Sequence, residues 1–230
     1  MSDFQTFVNN ALPIAVEGDF ADANPRNALS GQSAPAPRQV SVSRFAWLNE
    51  ATGVMYGSYE GEASMKMLFV RNDRQSALVD FIASNTLKYP VGLTATGFTD
   101  AAIYAKVSAA AATATVGQKV FANYVDGSFY FAATGTSTQT ASVTGSIATT
   151  GVLTVTAVAS GSLNVGDVLT AGGAILSQLS GTPGGVGTYQ TTNTTLVASV
   201  AIQANGSTES SYIVDLNGAT GNLTIISTWA

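Results

Sequence analysis

The residue pattern predicts an all-β protein: an extended N-terminal arm, a β-sandwich or barrel domain, and a second, small Thr/Gly-rich β module inserted into that domain. Three observations carry this. Short runs rich in Val, Ile, Phe, Tyr and Thr recur along the chain, each bounded by Gly, Asp or Asn. Hydrophobic residues make up 46% of the 230 and charged residues only 10%, so apolar burial can offset the ordering entropy of the chain without disulfides or metals. Pro13, Pro25, Pro35 and Pro37 punctuate the first 39 residues, each removing a backbone donor and biasing the residue before it toward extended geometry.

Residues 1–39 therefore read as an extended arm without regular secondary structure, a frayed tail being the other reading of the same composition. From Val40 the pattern turns to β, with Phe45-Ala46-Trp47-Leu48 followed by the turn residues Asn49, Thr52 and Gly53. Further strands are predicted over 65–70, 103–107, 119–124 and 128–132, the last two joined by the hairpin signal Asp126-Gly127. One helical turn is predicted after Asn72 or Asp73, where Leu78, Phe81 and Ile82 share a face.

Between 134 and 206 the composition shifts to Thr, Ser, Ala and Gly, with almost no charge apart from Asp167. Leu153, Val155 and Ala157 alternate with Thr154, Thr156 and Val158 as in a half-buried strand, and Thr182-Pro183-Gly184-Gly185 supplies a turn. Thr115-Val116-Gly117-Gln118-Lys119-Val120 and Asn164-Val165-Gly166-Asp167-Val168-Leu169 echo one another as turn, glycine, strand. Two more strands, over 211–216 and 223–229, return to the apolar character of the first part. The predicted division is thus 1–39 as arm, 40–133 plus 207–230 as the main β domain, and 134–206 as the inserted module.

Composition also limits chemistry. With no His and no Cys, the chain cannot build a Ser-His-Asp triad, a thiol nucleophile, a Cys/His zinc site or a disulfide framework. The formal net charge of −5 has the wrong sign for neutralising phosphates, so no nucleic-acid partner is expected. No apolar run approaches membrane-spanning length, and Met1-Ser2-Asp3-Phe4-Gln5 lacks the basic start of an export signal. Cytoplasmic synthesis and no membrane partner are the corresponding expectations, and no cofactor is expected.

The acidic set Glu17, Asp19 and Asp22 has spacing that suits a hard cation such as calcium, but it lacks the dense alternation and closing Glu of a calcium loop. Glu60 and Glu62 read as solvated surface carboxylates rather than a catalytic pair. Trp47, Tyr56, Tyr59 and Phe69 suit either a core or a sugar-binding platform. Gly184-Gly185-Val186-Gly187 lacks the Lys-Ser/Thr and the helix of a phosphate loop. No enzyme activity and no metal site are expected.

The run from Leu12 through Pro13, Ile14, Ala15, Val16, Glu17, Gly18, Asp19, Phe20, Ala21, Asp22, Ala23, Asn24 and Pro25 to Arg26 resembles the N-terminal signature of tailed-phage capsid decoration, or structural cement, proteins. Further likeness lies in Val42–Trp47, in Phe69-Val70-Arg71-Asn72, in Gln75–Leu78, in Thr115–Ala122 and in Ile226–Trp229. The stretch between Ala133 and Ser207 departs from that pattern and looks inserted. The resemblance implies a structural virion protein on the outer surface of a capsid, clamping neighbouring major capsid subunits and stabilising the shell. It implies a homotrimer at local threefold axes, with an arm that reaches across its neighbours. Carried residue by residue, it makes Leu12, Pro13, Ile14, Val16, Glu17, Gly18, Asp19, Phe20, Asn24, Pro25 and Arg26 the expected capsid contacts, with the acidic side chains meeting capsid Arg or Lys. The other reading of the same residues is a tail or adhesion module that binds host glycans through the Thr/Gly module or exposed aromatics.

Overall fold

A computed structural model describes residues 15–62, 64–71, 88–107, 113–219 and 222–229. Those residues form strands, turns and loops, with no helix among them. The helical turn expected after Asn72 lies outside the described residues.

The first five strands are β1 (Asn27–Ser33), β2 (Phe45–Asn49), β3 (Val54–Tyr56), β4 (Met65–Val70) and β5 (Thr94–Asp100), and they close a small barrel in the order β1-β3-β2-β4-β5. Both faces of β2 are covered. Ala46 and Leu48 turn into the barrel with Val40, Met55, Leu68, Val70 and Ala95, while Phe45 and Trp47 turn outward into a second, aromatic core. A strand buried on both faces needs an apolar residue at every position, which is why its sequence reads as an unbroken run.

The chain continues through β6 (Ala102–Lys106), β7 (Thr113–Ala114), β8 (Lys119–Asn123) and β9 (Phe129–Ala132). It then leaves for β10 (Gln139–Ile147), β11 (Val152–Gly161), β12 (Val168–Leu169), β13 (Ile175–Gly181), β14 (Gly187–Thr191) and β15 (Val197–Asn205), and returns as β16 (Ser207–Val214), β17 (Gly218–Ala219) and β18 (Leu223–Ser227). Sheet membership follows that excursion. β6, β18, β16, β8 and β9 form one five-stranded sheet, and β17 pairs with β7. β10 to β15 make a six-stranded sheet of their own, in the order β12-β15-β10-β11-β14-β13, around a separate cluster that includes Val143, Ile147, Leu153, Tyr189 and Ile202.

The barrel and the five-stranded sheet share one core, which joins Phe45, Phe69 and Phe98 to Ile103, Val120, Tyr212 and Ile226. Phe45 meets Phe69 edge to face at 5.2 Å between ring centroids, and both rings pack on Tyr212 at about 6 Å. Such pairs add to the area they bury. The Tyr212 hydroxyl, held protonated by burial and then by the nearby Asp100, donates to the Phe98 carbonyl at 3.0 Å and ties β16 to β5. At the β8–β9 turn Gly127 has a φ of +66°, and any Cβ there would strike the Phe45 carbonyl. Only glycine lets this hairpin lie against β2, where the Gly127 carbonyl accepts from Phe45 N–H at 2.9 Å.

Residues 27–33 correct the reading of 1–39 as a segment without regular structure. They run antiparallel to β5 from Asn27 opposite Asp100 to Gln32 opposite Thr94, and parallel to β3. Asn, Ser, Gly and Gln give this strand little β signal. Ladder pairing to two neighbours overrides propensity, and Gly31 is needed because the Leu48 side chain and the Gly53 carbonyl approach its Cα.

Candidate functional site

The signature run enters the described structure at Ala15, so Leu12, Pro13 and Ile14 lie outside the described residues. The next residues make a tight turn. Gly18 has a φ of +85°, Asp19 N–H donates to the Val16 carbonyl at 3.1 Å, and the Asp19 carboxylate accepts from Val16 N–H at 3.3 Å. Gly18 N–H then donates to the Tyr104 carbonyl at 2.7 Å, Tyr104 N–H to Asp19 at 2.9 Å, and Ala21 N–H to Ala102 at 2.9 Å. Residues 18–21 thus cover the open edge of β6. A free edge of unpaired backbone groups is a template for unwanted pairing, and here the chain's own signature covers it.

Phe20 anchors the segment. It bridges to Ile103 in the β6 ladder, meets Phe98 edge to face at 5.0 Å, and carries the Arg26 guanidinium over its ring at 3.5 Å and that of Arg71 at 4.8 Å. Phe20, expected as a capsid contact, therefore has partners within the chain itself. Among the remaining signature residues, Gly18 is buried, Val16, Glu17 and Asp19 are half-buried, and Asn24, Pro25 and Arg26 are exposed. The Asp22 carboxylate accepts from Asn24, through N–H at 3.1 Å and the side-chain amide at 2.5 Å, and Arg26 donates to the Asp22 carbonyl. Asp19 and Asp22 serve local turns. Among the described residues no three acidic side chains converge as a metal site would require.

Among the described residues, the turn at Val16 shares its side-chain closure with two others. In Thr115–Gln118 and in Asn164–Asp167 the same pattern recurs, with φ of +89° at Gly117 and +92° at Gly166. In each the fourth residue's side chain accepts from the first residue's N–H at 2.9 Å, and the fourth N–H closes the turn onto the first carbonyl at 3.1 Å. The glycine N–H donates to a neighbouring strand each time, to Val214 and to Ile175. Positive φ at the third position is the type II requirement that selects glycine. The echo between 115–120 and 164–169 is thus one turn used twice. Its third use escapes a sequence search because Val16-Glu17-Gly18-Asp19 shares only the glycine and an acceptor side chain with the others.

Glu60 and Glu62, expected as solvated carboxylates, are ion-paired instead. Arg38 lies between them, Nε at 3.2 Å from Glu60 and Nη1 at 2.9 Å from Glu62, with its side chain only 16% exposed. It also donates to Ser58 and lies 4.1 Å over the Tyr56 ring. More than 20 residues separate Arg38 from its partners, so no local pattern announces the pairing. Of the four aromatics, Trp47 and Phe69 are buried and Tyr56 sits beneath Arg38. Trp47, Tyr59 and Tyr124 pack on one another with ring centroids 5.1 to 6.2 Å apart, Trp47 stacking on Tyr59. The four do not form an exposed platform.

Strain marks one more place beside the signature. Ser43, with φ of +56°, is buried and its hydroxyl has no hydrogen-bond partner among the described residues. Next to it Arg44 pairs with Asp126 across the β8–β9 turn. Ser43 and Arg44, with Glu17, Lys106 and Phe129, line a hollow of about 290 Å³.

No curated protein matches the chain. The family model for the XM1 gp53 minor capsid protein matches residues 4–166, a stretch that takes in the signature, the barrel and three strands of the five-stranded sheet and runs past Ala133 into the Asn164–Asp167 turn. That span is well over half of the chain, so this protein belongs to the XM1 gp53 minor capsid protein family and is a structural, capsid-associated protein of a phage virion.

Proposed function

We propose that this protein decorates the outside of the phage head and stabilises it by bridging neighbouring major capsid subunits, three copies meeting at a local threefold axis. The observation that carries the reading is family membership over a stretch that contains the signature. The geometry adds a physical reason. Hydrogen bonds to β6 and the Phe20 anchor hold residues 18–21 against the sheet edge, so the signature is an anchored segment rather than a loose one. Val16, Glu17, Gly18 and Asp19 then form a turn on the rim of the body, and Asn24, Pro25 and Arg26 form its exposed continuation. A contact made by an anchored segment spends less ordering entropy than one made by a loose tail, and three such contacts in a trimer act at high effective concentration.

The test is truncation at residue 14. Removing 1–39 would take β1 out of the barrel, whereas removing 1–14 leaves every described strand in place. Purified full-length chain should co-sediment with empty heads that lack it, and the chain starting at Ala15 should bind at least tenfold more weakly with an unchanged circular dichroism spectrum. Equal binding by both would remove Leu12, Pro13 and Ile14 from the contact. Failure of the full-length chain to bind heads would sink the decoration reading itself.

A further inference from the structure

The middle module meets the body along a seam. Thr192 donates from its hydroxyl to the Glu60 carbonyl at 2.8 Å. Gly61 and Gly173 pass so closely that a Cβ on Gly61 would lie 2.7 Å from Gly173 backbone. Farther along, Val125 presses on Gly166, leaving no room there for a side chain. Between these contacts runs a groove of about 290 Å³, with Tyr59 and Tyr124 on the body side and Gly166, Ala174 and Ile175 on the module side.

Three large apolar side chains stand in solvent on that groove: Val125 at 57%, Val165 at 58% and Leu176 at 44% exposure. None is where default chemistry would put it. Val125 is in the β8–β9 turn and Val165 in the type II turn before β12, positions where Gly, Asn, Asp and Ser are the rule. Leu176 is the extra residue of a β-bulge, because Ile175 and Ser177 pair with the adjacent Thr191 and Gln190. A bulge on an edge strand re-aims a side chain, and this one turns a leucine outward. The two charged side chains that line the groove, Arg38 and Glu60, pair with each other, so the lining carries no net charge. A charged occupant would lose hydration without gaining a counter-charge, while an apolar one covers the valines and the leucine.

We infer that this groove receives an uncharged, apolar stretch of a capsid protein, so that body and module each supply one wall of a second docking site. The inference rests on the decoration reading and gives the inserted module a part in it. The partner is set by the neutral apolar lining together with the family's association with capsid components. Binding at the groove is separate from the signature, so the two contacts fail independently.

The experiment is a titration of empty heads with full-length chain carrying Val125→Ser, Val165→Ser and Leu176→Ser together, beside wild type. The three positions are exposed, so circular dichroism and tryptophan fluorescence should match wild type; Val125→Lys alone provides a second variant in which every residue of the module is unchanged. Both variants should bind heads at least tenfold more weakly, and added salt should not restore binding. Wild-type affinity in both would overturn the inference. So would a change in oligomeric state with head affinity unchanged, which would assign the groove to a second copy of this chain. If wild type binds and only the chain truncated at residue 14 is weakened, the groove fails while the decoration reading stands. If wild type itself does not bind, both fall.

Discussion

In the body, β2 buries Phe45, Ala46, Trp47 and Leu48 in succession, two into the barrel and two into the aromatic core it shares with the five-stranded sheet. In the module, β10 buries Ala141, Val143, Gly145 and Ile147 and leaves Thr140, Ser142, Thr144 and Ser146 half-exposed between them. The body packs two layers around aromatic rings, whereas the module is a single curled sheet around aliphatic side chains, with Tyr189 as the one aromatic of its buried core. A strand between two cores needs apolar residues at every position, and a strand with one core needs them at every second position. The contrast teaches that the shift to Thr, Ser and Gly after Ala133 reflects one-sided burial rather than a weaker fold.

The largest effects should separate the two cores. Phe69→Ala removes a fully buried ring packed on Phe45, Phe129 and Tyr212 and should cost about 3–5 kcal/mol, read as a lower denaturation midpoint by Trp fluorescence. Leu153→Ala in the module should cost about 2–5 kcal/mol locally. Both tryptophans, Trp47 and Trp229, lie outside 134–206, so their fluorescence follows the body alone. The expected outcome is a module transition, followed by far-ultraviolet dichroism, that moves down while the tryptophan transition stays. An equal shift in both probes would merge the two regions into one cooperative unit.

Glycine substitutions sharpen the comparison at the next level. Gly53→Ala meets open space and should cost about 1–2 kcal/mol for its positive φ alone, while Gly127→Ala adds a clash with the Phe45 carbonyl and should cost clearly more. Gly61→Ala attacks the seam with Gly173 and spares both cores, so it should loosen the module while leaving the tryptophan transition in place. Arg38→Ala leaves Glu60 and Glu62 facing one another without their cation and should cost about 1–3 kcal/mol in thermal denaturation.

How much was legible in the residues follows from the same contrast. Met65–Val70, Lys119–Asn123 and Phe129–Ala132 announce themselves as aromatic or aliphatic runs, and Asp126-Gly127 announces the turn between the last two. β1 and β5 were illegible, because NALSGQS and TATGFTD carry Gly, Thr and Asn where the barrel needs close backbone approach rather than bulk. Gly97 lies under the Leu68 side chain, for example, with no space for a Cβ. At the candidate site the signature could be read as a motif but its anchoring could not. Phe20 reaches Phe98 and Ile103 across about eighty residues, and only the tertiary fold brings them together.

The smallest expected effect lies at Asp126. Burial alone would raise its carboxyl, but hydrogen bonds from Ser128 and the Arg44 guanidinium prevail and hold it below the ordinary carboxylate range. The unfolded chain then binds this proton more readily than the folded one. The stability from the contact is complete above a pH of about 4 and is lost as pH falls through the lowered folded value. The pair is nearly half exposed, so Asp126→Asn should change stability by under about 1 kcal/mol at neutral pH and by less in acid, checked by denaturation midpoints at both.

Electron cryomicroscopy of heads carrying this protein tests the central claim most directly. The account predicts density for the barrel and the five-stranded sheet on the outer surface, bridging two major capsid subunits, with residues 12–26 against one of them and the groove between Val125, Val165 and Leu176 filled by an apolar capsid segment. Density for this protein on the inner face of the shell, or confined to the tail, would contradict it.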